Sequence, residues 1–245
     1  MPVCKLCRQD VPKLVKSHII PKSMYGFRHL NGDKGPTKLV PISNDLRGMR
    51  PKRIPSGLYE RILCHKCEEI TSKFDSYAYD VLYRRTKIPI KNKIYPVGYI
   101  IRGVNVYNML LFFASLLLRM SFSHSAAFGN VNLGIYEDRY RRSLLDGNID
   151  YLGGMDGFIS FYDNNLSATF MNPYKSRIFN IMHYSISIFN YAFDIKVSDN
   201  QEYPKYLKVL NIGSMEDNLI LIKRDLYNNK NFQIIAQKIK GGISV

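Results

Sequence analysis

No cysteine lies outside two Cys-x-x-Cys pairs, Cys4–Cys7 and Cys64–Cys67. The scatter of half-cystines that staples a small secreted domain is therefore missing. A long hydrophobic run is missing too. The most apolar stretch, Met109 to Met120, is 12 residues and contains Arg119, whereas a membrane-spanning helix needs ~20. It is expected as a buried core helix, and no membrane is expected as a partner. No basic and apolar leader precedes the first cysteine pair, which sets the expectation of a cytoplasmic protein. There is no internal repeat and no low-complexity tract, which excludes repeat arrays. Acidic residues are scarce, with 20 against 35 Lys and Arg for a net charge of +15. The deficit is local: residues 1–95 carry a balance of +12 and residues 96–245 only +3. A module this positive is the footprint of a polyanionic partner, most often nucleic acid.

What the chain does have is concentrated near its start. Two Cys-x-x-Cys clips in a chain without other cysteines point to four thiolates on one structural zinc, with Cys4, Cys7, Cys64 and Cys67 as the ligands. The first clip reads as a tight turn whose backbone amides can point at sulfur. The second opens a helix. Between the clips stands Ser17-His18-Ile19-Ile20-Pro21-Lys22. Pro21 restricts Ile20 to an extended conformation, so His18 is expected at the end of a strand. Residues 26–57 alternate Gly26, Gly32, Gly35, Gly48 and Gly57 with Pro36, Pro41, Pro51 and Pro55 and read as an irregular connection. Its end bunches Arg47, Arg50, Lys52 and Arg53, which with Lys22 are the candidate phosphate contacts. Leu58 to Leu63 reads as a strand that delivers Cys64. A helix from Glu68 to about Arg85 follows, with Ile70, Phe74, Tyr77 and Val81 stepping along one apolar face. Glu68, Ser72, Asp75 and Tyr79 share the opposite face, which places two carboxylates two turns apart on the side expected to meet solvent.

Lys87 to Pro96 reads as a basic linker, and a domain boundary is expected there: a zinc-stabilised module over 1–95 and an α+β domain over 96–245. The second part is expected to hold a buried helix from Asn105 to Ser121 and a second helix from Gly134 to Leu145 closed by Asp146-Gly147-Asn148. From about Met155 the periodicity moves toward two. Tyr184, Ile186 and Ile188 alternate in one register and Phe189, Tyr191, Phe193, Ile195 and Val197 in the other, which predicts one long strand with a β-bulge near Ile188–Phe189. Leu207–Ile212 and Leu219–Lys223 read as further strands, joined by a turn at Gly213-Ser214, and Phe232–Ile239 as a closing helix. The fold class is thus α+β: a zinc-bound ββα, treble-clef-like module followed by buried helices and an antiparallel sheet.

His18 is the candidate catalyst, since an imidazole can take a proton from water while a divalent metal neutralises developing phosphate charge. His65, between the cysteines of the second clip, is expected to face outward. His29, His124 and His183 carry no functional expectation. The string Cys-x-x-Cys, Ser-His-Ile-Ile-Pro-Lys, then Leu-Cys-x-x-Cys-Glu opening a helix resembles the HNH, or His-Me finger, nuclease superfamily in its four-cysteine zinc form. The likeness is to a bacterial branch often found among anti-phage defence effectors. It covers residues 4 to about 85 and reaches, through Leu116–Ser121, Val131–Gly134 and the Arg-rich helix, to about Leu145. The resemblance implies a ββα hairpin that presents His18 as general base. It also implies a catalytic magnesium or other divalent ion with Glu68 where the superfamily usually carries His or Asn. Ser17 stands where an acidic or imidazole ligand is usual, and Tyr59 and Glu60 occupy the region of the usual orienting Asn. The function expected on these grounds is endonucleolytic hydrolysis of nucleic acid, DNA ahead of RNA, with residues 96–245 engaging a protein partner or a second copy. The alternative is a zinc-dependent nucleic-acid-binding or adaptor module without catalysis.

Overall fold

The computed structural model describes residues 1–24, 40–42, 57–92, 95–162, 169–199, 201–204, 210–214 and 217–224. Expectations for Arg47, Arg50, Lys52, Arg53, most of the Leu207–Ile212 strand and the Phe232–Ile239 helix lie outside these residues.

The chain opens with the first clip, a turn closed by Arg8 N–H donating to the Cys4 carbonyl at 2.8 Å, with Arg8 itself at φ 58°. Strand β1 (Val15–His18) follows, and Lys22 stands exposed on the single helical turn after it. Strand β2 is Val40–Ile42. Strand β3 (Tyr59–Leu63) pairs antiparallel with β1 as a small ribbon of its own. Helix α1 (His65–Tyr79) starts at the second clip and runs into a π-helical turn over Asp80–Arg84. Strands β4 (Ile88–Asn92) and β5 (Tyr95–Arg102) form a hairpin where a linker was expected. Ile88, Pro89, Ile90 and Tyr95, Val97, Tyr99 supply the strand-forming residues, and Pro89 is tolerated because β4 is the edge of its sheet.

Helix α2 (Val106–Phe122) is capped by Asn105, whose side chain accepts from Asn108 N–H at 3.0 Å. It is buried almost all round. Helix α3 (Tyr136–Asp146) ends at Gly147, whose φ of 67° gives the left-handed stop that favours glycine. Strands β6 (Asp156–Tyr162), β7 (Thr169–Ile178), β8 (Ile181–Ile188), β9 (Tyr191–Lys196) and β10 (Asn218–Arg224) complete the chain as described.

The large sheet has the order β2-β7-β8-β9-β6-β10-β5-β4. It is antiparallel except where β10 meets β6 and β2 meets β7. The expected bulge at Ile188–Phe189 is instead a tight turn between β8 and β9. Phe189 takes φ 53°, and the register runs back from Ile188↔Tyr191 to His183↔Lys196. A reversal of direction and a bulge both switch the parity of inward residues, so the alternation alone did not separate them. Phe112 and Phe113 of α2 pack edge-on against Phe193 of β9, each with ring centroids 5.9 Å apart. The other side of α2 meets α1. One cluster of buried apolar residues runs from Cys4 through Ala78 and α2 to Leu221. The architecture is α+β, with a small ββα unit and a larger, mostly antiparallel sheet. Among the described residues no helix is long and apolar enough to cross a membrane.

Candidate metal centre and adjoining polar site

The two clips meet. The sulfur atoms of Cys4, Cys7, Cys64 and Cys67 all lie within 4.8 Å of one another, and none is in a disulfide. Four thiolates at ~2.3 Å from a tetrahedral zinc sit roughly 3.8 Å apart, so the donor set and spacing fit a closed metal site. The backbone favours negative charge on one of these sulfurs, Cys64 N–H donating to Cys4 Sγ at 3.2 Å, whereas burial raises the Cys7 thiol and the Cys4 sulfur raises that of Cys67. The Cys67 thiol, with help from the Cys7, Cys64 and Leu6 amides and against burial, lowers the Cys4 thiol to about 4. The four-cysteine cluster can hold a metal ion.

Helix α3 clamps this knuckle from outside. Arg141 Nε donates to the Leu6 carbonyl at 2.6 Å inside the first clip, while its Nη1 reaches Asp138 at 2.9 Å. Arg8 pairs with Asp138 at 2.5 Å and Glu137 at 3.5 Å. The Arg-rich helix thus serves the first clip directly.

The β1–β3 ribbon sorts its residues by parity. Lys16 faces Arg61 and His18 faces Tyr59 across the ladder, with Ser17 opposite Glu60. Ser17 is fully buried, whereas Lys16, Tyr59 and Arg61 are exposed and His18 is half-buried. The Glu60 carboxylate turns to the chain after α2, accepting from Ser123 Oγ, from His124 N–H at 3.0 Å and from Ser125 N–H at 3.3 Å. Burial works to raise the Glu60 carboxyl, yet these donors together hold it below the ordinary carboxylate range. Glu60 is therefore an anchor for residues 123–125.

The geometry of α1 departs from the sequence expectation. Its deepest residues are Cys67, Thr71 and Ala78, with Ile70, Phe74 and Tyr77 only half-buried. The helix is turned so that the Glu68–Asp75 side faces inward toward α2. Two causes act together. Cys67 is pulled in by the cysteine cluster, and Asp75 finds a buried cation. Arg119, 1% exposed, grips Asp75 with Nη1 at 2.8 Å and Nη2 at 2.6 Å. It also donates to the His18 carbonyl at 2.9 Å and, through Nε, to the Ser115 carbonyl at 3.3 Å. Burial pushes the Asp75 carboxyl upward and the guanidinium opposes it. With both oxygens accepting charge-assisted bonds, Asp75 is an anion.

Glu68 lies two turns before Asp75, on the same side of α1. Burial raises its carboxyl above the ordinary range, against the pull of the Ser17 hydroxyl and of Arg119. Among the described residues, neither Ser17 Oγ nor Glu68 Oε2, both buried, has a well-formed hydrogen bond. Two neighbouring buried oxygens that share no more than a loose contact with each other are an unusual expense in a folded protein. Outside them runs a shallow groove of roughly 430 Å³ along α1, lined by His65, Glu68, Glu69, Ser72, Lys73 and Ser76. His65 faces outward, as its position between cysteines suggests, and contacts Glu69 at 3.4 Å. A carboxylate and a hydroxyl are oxygen donors of the kind magnesium takes, whereas among the described residues the four cysteines are the one cluster of three or more ligating side chains.

The ribbon and α1 thus bring Ser17, His18 and Glu68 beside the cysteine cluster, while Asp75 is committed to Arg119. Arg119 and Arg141 are the residues that sequence reasoning passed over. The one available signal was Arg119 as the lone charge in the apolar run 109–120. Compared with known protein families, with curated proteins and with solved structures, the chain matches none.

Proposed function

We propose that the chain is a zinc-stabilised, divalent-metal-dependent endonuclease of the HNH type, acting on nucleic acid and serving as an anti-phage effector. The observation that carries the reading is the adjacency of Ser17 and Glu68, two buried oxygens without good partners, on the same ββα frame that displays His18 beside the cysteine cluster. In this reading the four cysteines hold structural zinc, and Ser17 with Glu68 would hold magnesium. The chemistry a divalent cation supplies in such a site is neutralisation of charge on the scissile phosphate and the departing oxygen. His18 takes the proton from the attacking water as the new P–O bond forms and the bond to the leaving oxygen breaks. Arg119 fixes the His18 backbone from behind, and Asp75 fixes Arg119. The basic excess of residues 1–95, including Lys22, Arg47, Arg50, Lys52 and Arg53, draws the polyanion in. Residues 96–245 would carry the contacts to a partner or second copy that restrain such an activity.

The test is cleavage of plasmid DNA and of RNA by the purified protein, with magnesium and with magnesium withheld, beside Glu68→Gln. Magnesium-dependent cleavage lost in the variant supports the reading. Tight binding without cleavage by either protein favours the non-catalytic nucleic-acid-binding module.

A further inference from the structure

The outward face of the β1–β3 ribbon carries an arrangement that folding does not explain. Lys16 and Arg61 stand directly opposite each other across the ladder. Like charges in that relation destabilise a strand pair, and this ribbon has only two strands to spare. Lys16 turns its ammonium over the Tyr59 ring, 4.8 Å from the centroid. Tyr59 is 40% exposed and its ring centroid lies 5.9 Å from that of His18, tilted 55°. A cation over an exposed ring contributes little and is readily displaced. The ribbon therefore presents, within one face, an aromatic ring, two cations with no carboxylate paired to them among the described residues, and the candidate base.

Resting on the nuclease reading, we propose that this face is a platform for an unpaired nucleotide. A base stacks on Tyr59, the phosphates on either side meet Lys16 and Arg61, and the substrate is single-stranded or locally opened nucleic acid. A duplex keeps its bases stacked inside and offers Tyr59 no π-face, whereas single strands are held by an aromatic platform with flanking cations. Charge complementarity identifies the occupant: an acidic peptide would satisfy Lys16 and Arg61 but leave the tyrosine ring without a partner.

The experiment measures affinity with no magnesium added, so that binding is read apart from cleavage. A short single-stranded oligonucleotide is compared with the same sequence as a blunt duplex. The expected result is single-strand binding at least tenfold tighter than duplex binding. Tyr59→Phe should retain it, Tyr59→Leu should lose roughly tenfold on the single strand alone, and Lys16→Gln should reduce the salt slope by about one phosphate contact. Zinc content equal to wild type in each variant excludes misfolding as the cause. Equal affinity for duplex and single strand, or an unchanged affinity in Tyr59→Leu, overturns the proposal. If the binding pattern holds and no cleavage is found, the platform stands and the nuclease reading falls.

Discussion

Arg119 Nη1 donates to the His18 carbonyl at 2.9 Å and to Asp75 Oδ2 at 2.8 Å. One nitrogen on α2 thereby joins the strand end of β1 to the middle of α1. The first of these bonds reaches the backbone of His18, so the guanidinium sets where the imidazole stands.

Removing one member of this pair leaves the other buried and uncompensated. Arg119→Met is expected to cost about 3–5 kcal/mol and Asp75→Leu a similar amount. The double variant, Arg119→Met with Asp75→Leu, should be more stable than either single one, because an apolar pair replaces an ionic one. Denaturant unfolding of the three proteins measures it. Additive losses in the double variant would contradict the pairing.

Ser17 separates folding from function. Its hydroxyl is buried without a good partner, so Ser17→Ala should leave stability unchanged or slightly raised. If Ser17 contributes an oxygen to a divalent cation, the same variant should need severalfold more magnesium for half-maximal cleavage. A loss of stability of about 2 kcal/mol would show that the hydroxyl is satisfied in solution.

Glu60 gives a prediction with a definite pH sign. Burial works to raise its carboxyl, but the donors at Ser123–Ser125 outweigh it and hold the group below the ordinary carboxylate range. A depressed folded-state value means that the stabilisation is complete above the unfolded value and fades as pH falls through the folded one. Glu60→Gln should therefore be destabilising by roughly 1–2 kcal/mol at neutral pH. The gap to wild type should close in acid. Urea midpoints across the acid range measure it, and a constant gap would contradict the assignment.

The cysteine clips predict a local collapse. Cys64→Ser removes a ligand but keeps a residue that can cap α1, and a loop-rich unit of this size would depend on its metal for structure. Metal content should fall, and protease cleavage should appear first within residues 1–24. Unchanged metal content would refute the four-thiolate site.

How much of this was legible in the sequence follows from how local each signal is. Cys-x-x-Cys spacing is a covalent-scale constraint, and the four sulfurs converge as read. The helices α2 and α3 followed from apolar runs and a glycine stop, which are also local. The orientation of α1 was not readable, because its apolar stripe of Ile70, Phe74 and Tyr77 competes with two tertiary forces. The four-cysteine cluster draws in Cys67, and Arg119, 44 residues away, draws in Asp75. The 87–96 hairpin was misread because Lys and Pro are depleted in strands, and only the neighbouring β10 shows why one forms there. Ser17 looked like a defect in a metal motif, and only its burial beside Glu68 gives it a part.

The most direct measurement is plasmid cleavage by wild type and His18→Ala at saturating magnesium, with zinc content and oligonucleotide affinity matched between the two. The proposed mechanism predicts cleavage by wild type and a loss of at least a hundredfold in the variant, the usual scale of a positioned general base. Equal cleavage by both proteins, or none by the wild type on DNA or RNA, would contradict it.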